Sequence, residues 1–230
     1  MIVNHAYRFI FLKTRKTAGT SIEVALSPFC GPDDIVTPIS PKDETLRGPE
    51  NSPRNHRGAF NPFPELPTPG TDITRTLRDA VRGRKFFNHM TATQAHNRLP
   101  REVWNGYFKF CFVRNPWDRT VSMFHWENRG KERPRTWEEF LEWGEFRPDF
   151  GLYSLGGKLA MDFVGRYESL QDDLTRALQM TGLTDQIELP RAKGDFRKDP
   201  RDYRDYYTPA QRDVIAKVFA PEIEMFGYEF

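Results

Sequence analysis

The chain has 230 residues, of which 38% are hydrophobic and 14% aromatic, enough to bury the core of one sizeable α/β domain. Its 34 basic and 32 acidic residues leave a net charge of +2, which excludes nucleic acid or a membrane as the default partner. No apolar run reaches the roughly eighteen residues that span a membrane, and the N-terminus lacks the features of a signal peptide. We therefore expect a cytoplasmic protein with no membrane partner, in which Cys30 and Cys111 stay reduced.

The first predicted unit is a strand, a turn and a helix near the N-terminus. Residues 7–13 are aromatic and β-branched, residues 14–20 are small and polar, and residues 21–26 follow a helical pattern. The next stretch, at about 28–70, contains more than half of the 18 prolines. We expect it to be an irregular excursion outside the core that serves as a lid or substrate loop.

Strands and helices continue to alternate over the rest of the chain. The apolar run 107–113 predicts a central strand buried on both faces, and Pro116 suits the start of the helix that follows it. The alternation predicts a single domain over residues 1–230, a three-layer α/β sandwich with a central parallel sheet. The other predicted elements are a basic amphipathic helix over 72–82, a strand over 85–88, a helix capped by Thr91, a helix over 137–143, a strand over 162–167, and helices over 170–180 and 209–219.

Basic, hydroxyl-bearing and small residues are concentrated between Lys13 and Ser21, where the first strand passes into the first helix. Such a turn directs backbone N–H groups to one point and adds the positive end of the helix dipole, so it predicts a phosphate or sulfate site. The residue order differs from a nucleoside-triphosphate loop, because Lys16 precedes Gly19 instead of following the glycine. Arg114 ends the next buried strand, where a kinase often has an aspartate, which further disfavours a P-loop kinase.

The second cluster of polar residues extends from Val113 to Ser122, at another junction between a strand and a helix. Parallel sheets bind ligands at this edge. Arg114 offers a bidentate fork to a phosphate, and Ser122 adds a hydroxyl donor. Two separate anion sites predict a ligand with two phosphorylated ends.

Three stretches resemble the sulfotransferases that depend on 3′-phosphoadenosine-5′-phosphosulfate (PAPS), particularly bacterial relatives of the Golgi carbohydrate sulfotransferases. Residues 15–21 are similar to the family's 5′-phosphosulfate loop, residues 113–122 to its 3′-phosphate motif, and residues 163–170 to a later element near the adenine. The resemblance implies a core related to P-loop nucleotide kinases. It also implies transfer of sulfate from PAPS to a hydroxyl, with release of adenosine 3′,5′-bisphosphate and no metal.

The resemblance also implies roles for individual residues. Lys16 would contact the bridging oxygen and stabilise charge on the departing nucleotide, while Arg114 and Ser122 would bind the 3′-phosphate. Ser21 stands where the cytosolic small-molecule enzymes have an adenine-stacking tryptophan, which favours the carbohydrate branch of the family and leaves adenine stacking unassigned. The expected acceptor is a carbohydrate or another small metabolite. The other donor-binding residues implied are Arg15, Thr17, Ala18, Gly19, Thr20 and Ser21 in the turn, Tyr167 near the nucleotide, and Arg191 and Lys193 in a late basic loop.

His89 is the candidate general base, because a hydroxyl acceptor must lose its proton and histidine titrates in the useful range. It follows the predicted strand 85–88, and residues 88–92 resemble the family's base-bearing segment. His96 and His125 lie within helical patterns instead. No histidine has metal-ligand spacing with the two cysteines, so no metal site is predicted.

Several structural interpretations stay open at the level of sequence. Arg15 and Lys16 could be solvated cations, Arg114 an ion-pair partner of Asp118 or Glu168, and His89 a packing residue. The basic helix over 72–82 is most simply a solvated face. A P-loop kinase and a non-catalytic binder of anionic nucleotides or glycans are the alternative functions.

Overall fold

The computed structural model describes residues 1–66, 72–144, 146–185, 187–190, 199 and 201–230. Among these residues, a central sheet has the strand order β3-β1-β2-β4-β7, and β5 and β6 form a separate hairpin. The strands are β1 (Ile2–Asn4), β2 (Phe9–Phe11), β3 (Ile35–Val36), β4 (Phe108–Val113), β5 (Ser154–Leu155), β6 (Lys158–Leu159) and β7 (Phe163–Arg166).

The sheet is mixed, and its parallel strands are β2, β4 and β7. Strand β4 pairs in parallel with β2, where Phe9 faces Phe108, and with β7, where Phe110 faces Phe163. Strand β1 pairs antiparallel with both β2 and β3. The predicted parallel sheet is therefore correct for the strands that carry the two polar clusters, and the antiparallel strands β1 and β3 extend it at one edge.

Helices cover both faces of the sheet, which confirms the three-layer α/β sandwich. Alternate residues of each strand face opposite sides, so Phe110 and Phe112 pack in one apolar core while Cys111 and Val113 pack in the other. The helices are α1 (Gly19–Leu26), α2 (Pro41–Arg47), α3 (Ile73–Val81), α4 (Ala92–Arg98), α5 (Arg101–Gly106), α6 (Pro116–Asn128), α7 (Trp137–Trp143), α8 (Phe150–Tyr153), α9 (Leu170–Gln179), α10 (Pro209–Val218) and α11 (Ala220–Phe226).

The strand predicted over 85–88 is wrong. Both sides of β4 are already occupied by β2 and β7, and the backbone of this segment hydrogen-bonds to loops. The Phe86 N–H donates to the His56 carbonyl at 2.8 Å, and the Lys85 N–H donates to the Gly83 carbonyl at 3.0 Å. Phe86 and Phe87 are both buried, a pattern that a half-buried strand does not produce.

The proline-rich segment contains more regular structure than its composition predicts. Its residues Ile35–Val36 form β3 at the edge of the sheet, and its residues Pro41–Arg47 form α2, which Ser40 caps. The expectation of an irregular excursion therefore applies to only part of this segment. Elsewhere, Cys30 and Cys111 are free, as predicted, and both are buried. None of the helices in the described residues is long and apolar enough to cross a membrane.

Candidate active site

The turn between β2 and α1 has the geometry of an anion site. Lys16 and Ala18 adopt left-handed backbone conformations, with φ of 63° and 58°. Ala18 is the N-cap of α1, and among the described residues no side chain caps this helix. The first intrahelical bond runs from the Ile22 N–H to the Ala18 carbonyl at 3.1 Å. The N–H groups of the first helical turn therefore point out of the helix N-terminus, where an anion is stabilised.

A buried ion pair supports this turn from below. The Lys13 ammonium donates to Glu23 Oε2 at 2.6 Å and to Thr20 Oγ1 at 3.0 Å. Because Thr20 accepts from Lys13, its own hydroxyl proton can be donated to a ligand. Gly19 is required here, since a Cβ at this position would lie 2.6 Å from Lys13 Cγ. Burial raises the pKa of Glu23, but the charges of Lys13 and the Met1 ammonium, together with their hydrogen bonds to Glu23, outweigh that effect, and the pKa falls to about 2.

The hydroxyl of Thr17 is used within the turn. Thr14 Oγ1 donates to the Phe112 carbonyl, so Thr17 Oγ1, 2.8 Å from Thr14 Oγ1, is the donor between the two hydroxyls. Thr17 is also buried. The predicted contact of Thr17 with a phosphate is thus available to its backbone N–H and not to its side-chain proton.

Charged side chains from distant segments hold the backbone of Arg15. Its N–H donates to Asp149 Oδ2 at 2.6 Å, and its Nη1 donates to Asp149 Oδ1 at 2.8 Å. Arg119, on α6, donates from Nε to the Arg15 carbonyl at 3.3 Å and from Nη2 to Asp149 Oδ1 at 2.8 Å. Both Asp149 and Arg119 are buried, while the Arg15 side chain is partly exposed.

The second turn lies against the first. Arg114, directly after β4, donates from Nη1 to the Lys16 carbonyl at 3.0 Å. Its Nε donates to Asp118 Oδ2 at 2.8 Å, and Nη2 lies 2.8 Å from the same oxygen. Glu168 instead accepts from the Asn115 N–H at 2.6 Å. Arg114 therefore pairs with Asp118, one of the two partners considered from sequence, and also connects the two turns.

Two aromatic rings flank these basic groups. The Lys16 ammonium lies 4.7 Å from the centre of the Trp126 ring, and the Arg114 guanidinium lies 4.0 Å from the centre of the Tyr167 ring. Ser122 and Trp126 are four residues apart on α6, so Ser122 shares the helix face that meets Lys16. Lys16, Arg114, Ser122 and Tyr167 thus occupy one corner of the molecule.

His89 reaches this corner from a loop. It follows no strand; it has a left-handed backbone, with φ of 56°, and its Nδ1 lies 3.1 Å from the Lys13 carbonyl. A carbonyl only accepts, so Nδ1 carries the proton and the neutral ring has its lone pair on Nε2. Burial, followed by the charge of Lys13, lowers the pKa of His89 to about 3. The ring is therefore neutral near neutral pH, as a base must be before it reacts.

Sequence reasoning missed Glu23, Trp126 and Asp149 as parts of this site, and it included Lys13 in the first turn without its pairing to Glu23. Arg119 lies inside the second motif, but Asp149 lies in a segment with no motif, and only the folded chain brings it to Arg15. Arg191 and Lys193 lie outside the described residues.

The sequence matches the model of the sulfotransferase family over residues 1–149 and 156–229. The chain belongs to the sulfotransferase family. This sulfotransferase is also similar to an uncharacterised protein of Archaeoglobus fulgidus, with 30% identity over 118 residues that cover 47% of this chain and 98% of the relative. Family membership supports a transferase that uses a sulfate donor and a hydroxyl acceptor.

Proposed function

We propose that this sulfotransferase moves the sulfuryl group of PAPS to a hydroxyl of a carbohydrate or another small metabolite, releasing adenosine 3′,5′-bisphosphate. One observation carries the proposal: the Arg114 guanidinium donates to the Lys16 carbonyl at 3.0 Å. This contact brings two anion-binding turns, far apart in sequence, into one corner. A nucleotide phosphorylated at both its 5′ and 3′ ends requires that arrangement.

The first turn fits the 5′-phosphosulfate. Its helix, which no side chain of the described residues caps, supplies N–H groups from Gly19, Thr20 and Ser21, and Thr20 adds a hydroxyl proton. Ala18 contributes its left-handed conformation, which shapes the turn. The partly exposed guanidinium of Arg15 adds positive charge at the rim. Backbone donors and cations of this kind are the groups that bind phosphate and sulfate esters.

The second turn fits the 3′-phosphate. The contacts of Arg114 with Asp118 and Lys16 use three of its five N–H groups, and each terminal nitrogen carries a second N–H that a phosphate can accept. Ser122 supplies a hydroxyl on the adjoining helix face. Tyr167 holds the guanidinium plane against its ring and so fixes the direction of the fork.

Lys16 and His89 carry the chemistry in this proposal. PAPS supplies an activated sulfuryl group whose S–O bond to the 5′-phosphate breaks as the acceptor O–S bond forms. The Lys16 ammonium stabilises the negative charge that develops on the departing oxygen. His89 Nε2 takes the acceptor proton, and its Nδ1–H bond to the Lys13 carbonyl holds the ring in the required tautomer. Bound polyanionic donor would raise the low pKa of His89 and make it a stronger base.

The test combines binding with turnover. Thermal shift is measured with adenosine 3′,5′-bisphosphate and with ATP plus magnesium, and transfer of labelled sulfate from PAPS is measured on a panel of hydroxyl acceptors. We expect stabilisation by the bisphosphate and transfer to at least one sugar. Preference for ATP would favour the kinase, and stabilisation without transfer to any acceptor would favour the non-catalytic binder.

Replacement of the two catalytic candidates separates their roles. Lys16→Ala should lower kcat by about a hundredfold to a thousandfold, the loss typical of one transition-state donor. His89→Ala should abolish turnover while leaving the affinity for adenosine 3′,5′-bisphosphate within about twofold. Lys158→Ala, at an exposed lysine of β6, and His96→Gln, on α4, are matched controls. An active His89→Ala enzyme would remove His89 from the mechanism.

A further inference from the structure

Helix α3 buries polar residues and exposes apolar ones. Its buried residues are polar, with Thr76 2% and Asp79 4% exposed, whereas its apolar residues face outward. Ile73 is 50%, Leu77 42% and Val81 88% exposed. These three recur at every fourth position and form one stripe along the helix. A helix of a soluble core normally has the opposite arrangement, so this stripe requires a separate explanation.

Arginines run beside the apolar stripe. Arg78 and Arg82 each follow a stripe residue by one position, and both are exposed. Arg75 and Arg84 are near Asp79, at 4.0 Å and 3.7 Å, so the single buried carboxylate faces two of the guanidinium groups. The exposed surface of α3 is therefore apolar on one side and strongly cationic on the other. Two copies packed through this face would bring like charges together, which disfavours self-association.

We propose that α3 docks on an anionic lipid surface, with Ile73, Leu77 and Val81 in the interface and Arg78 and Arg82 on the phosphate headgroups. A convex helix of nine residues is too small to bury the area of a stable protein interface. A bilayer needs no shape complementarity. It can bury an apolar stripe, and its anionic headgroups attract adjacent basic side chains. The sequence-based expectation of no membrane partner relied on net charge and on the lack of a membrane-spanning run, and neither of these detects a local binding surface.

Vesicle co-sedimentation tests this docking surface independently of the proposed function. We expect the protein to pellet with phosphatidylglycerol-containing vesicles and not with phosphatidylcholine vesicles, with binding weakened by salt. Leu77→Ser combined with Val81→Ser, and Arg78→Glu combined with Arg82→Glu, should each lower the bound fraction at least tenfold. Leu46→Ser on α2 and Arg101→Glu on α5, at exposed positions elsewhere, are the matched controls.

Three outcomes would overturn the proposal. They are no binding by the wild type, equal binding by the α3 variants, or a dimer in analytical ultracentrifugation that the Leu77 and Val81 replacements dissociate without any vesicle binding. Unchanged thermal midpoints of the variants show that a loss of binding is not a loss of folding. The charge-reversal pair provides a second route if the apolar replacements affect stability.

A different observation assigns a positioning role to Asp149 and Arg119. Together they bind the N–H, the carbonyl and the side chain of Arg15. Arg119 also donates from Nη2 to the Arg147 carbonyl at 2.8 Å, and the Asp149 N–H donates to Glu222 Oε1 at 3.2 Å. These contacts connect the turn between β2 and α1 to helices α6 and α11. We infer that this pair holds Arg15 and Lys16 in the geometry required for the 5′ end of the donor.

This second inference rests on the proposed function, and ligands with one phosphate separate the two. Wild-type protein should bind both adenosine 5′-phosphate and adenosine 3′-phosphate. Asp149→Asn and Arg119→Lys should each lower the affinity for adenosine 5′-phosphate about tenfold and leave the affinity for adenosine 3′-phosphate within about twofold. Each should also lower kcat more than it raises the acceptor KM. If the wild type binds neither ligand, the proposed function fails. If the variants lower the affinity for both ligands equally, or for neither, Asp149 and Arg119 have only a structural role.

Discussion

The two turns at the sheet edge offer different kinds of hydrogen-bond donor to an anion. The N-terminus of α1 has Ala18 as its N-cap, with no side-chain cap among the described residues. The N-terminus of α6 is closed by Asn115, whose Oδ1 accepts from the N–H groups of Trp117 at 3.1 Å and Asp118 at 3.4 Å. The first turn therefore offers backbone donors to a ligand, and the second offers the side chains of Arg114 and Ser122.

This difference indicates which substitutions should disrupt each turn. Backbone donors need a rigid turn, and the first turn obtains rigidity from buried charges: the Lys13–Glu23 pair below it and Asp149 beside it. Side-chain donors need only an anchored fork, and Asp118 and Tyr167 anchor Arg114. Damage to buried charges should therefore act on the first turn, and loss of one side chain on the second.

The largest effect is expected from Glu23→Gln, which keeps the size of the side chain and leaves the buried Lys13 charge uncompensated. Glu23 also pairs with the buried ammonium of Met1. Loss of one partner of a buried ion pair costs about 3–5 kcal/mol of unfolding free energy. The pKa of Glu23 lies at about 2 in the fold and near 4.5 when unperturbed. Its stabilisation is therefore complete above pH 4.5 and is lost as the pH falls towards 2.

Chemical denaturation across this pH range measures both effects. The variant should lack the Glu23 component of the acid-induced loss, and Glu102→Gln, at an exposed position of α5, is the control. Wild-type stability at neutral pH in Glu23→Gln would show that the pair does not support the turn.

A smaller effect is expected from Arg114→Ala, which removes the fork of the second turn. A hydrogen bond to a charged group contributes about 1.5–3 kcal/mol, so the affinity for adenosine 3′,5′-bisphosphate should fall by about tenfold to a hundredfold. The affinity for adenosine 5′-phosphate should change much less. Equal losses for both ligands would mean that Arg114 acts through the Lys16 carbonyl and does not bind the 3′-phosphate.

The smallest effect is expected from Asn115→Ala, which removes the cap of α6. The loss of an N-cap costs about 0.5–2 kcal/mol of unfolding free energy. Thr208→Ala, which removes the cap of α10, calibrates this cost in the same protein. If the second turn binds through side chains, as proposed, thermal denaturation should report a lower midpoint with unchanged nucleotide affinity. A large fall in affinity would show that the cap also orients Arg114.

The sequence predicted the elements whose signals are local. The side chain of Thr91 caps α4, and Pro116 begins α6, both as predicted. The strand β4 was predicted because a continuous apolar run matches a strand buried on both faces. By contrast, β1 and β3 have only three and two residues, too few to show a period, and they form because β1 pairs with β2 and β3 pairs with β1.

Residue types and their order, by themselves, determined that two basic turns follow strands and begin helices, and that their motifs are those of the sulfotransferase family. Only the tertiary structure decided that the Arg114 fork meets the Lys16 carbonyl, that Asp149 binds Arg15, and that α3 presents its apolar side outward. The physical reason is range. Caps and hydrophobic periods act between residues a few positions apart, whereas buried charge pairs join positions that only the packed sheet and helices bring within hydrogen-bond distance.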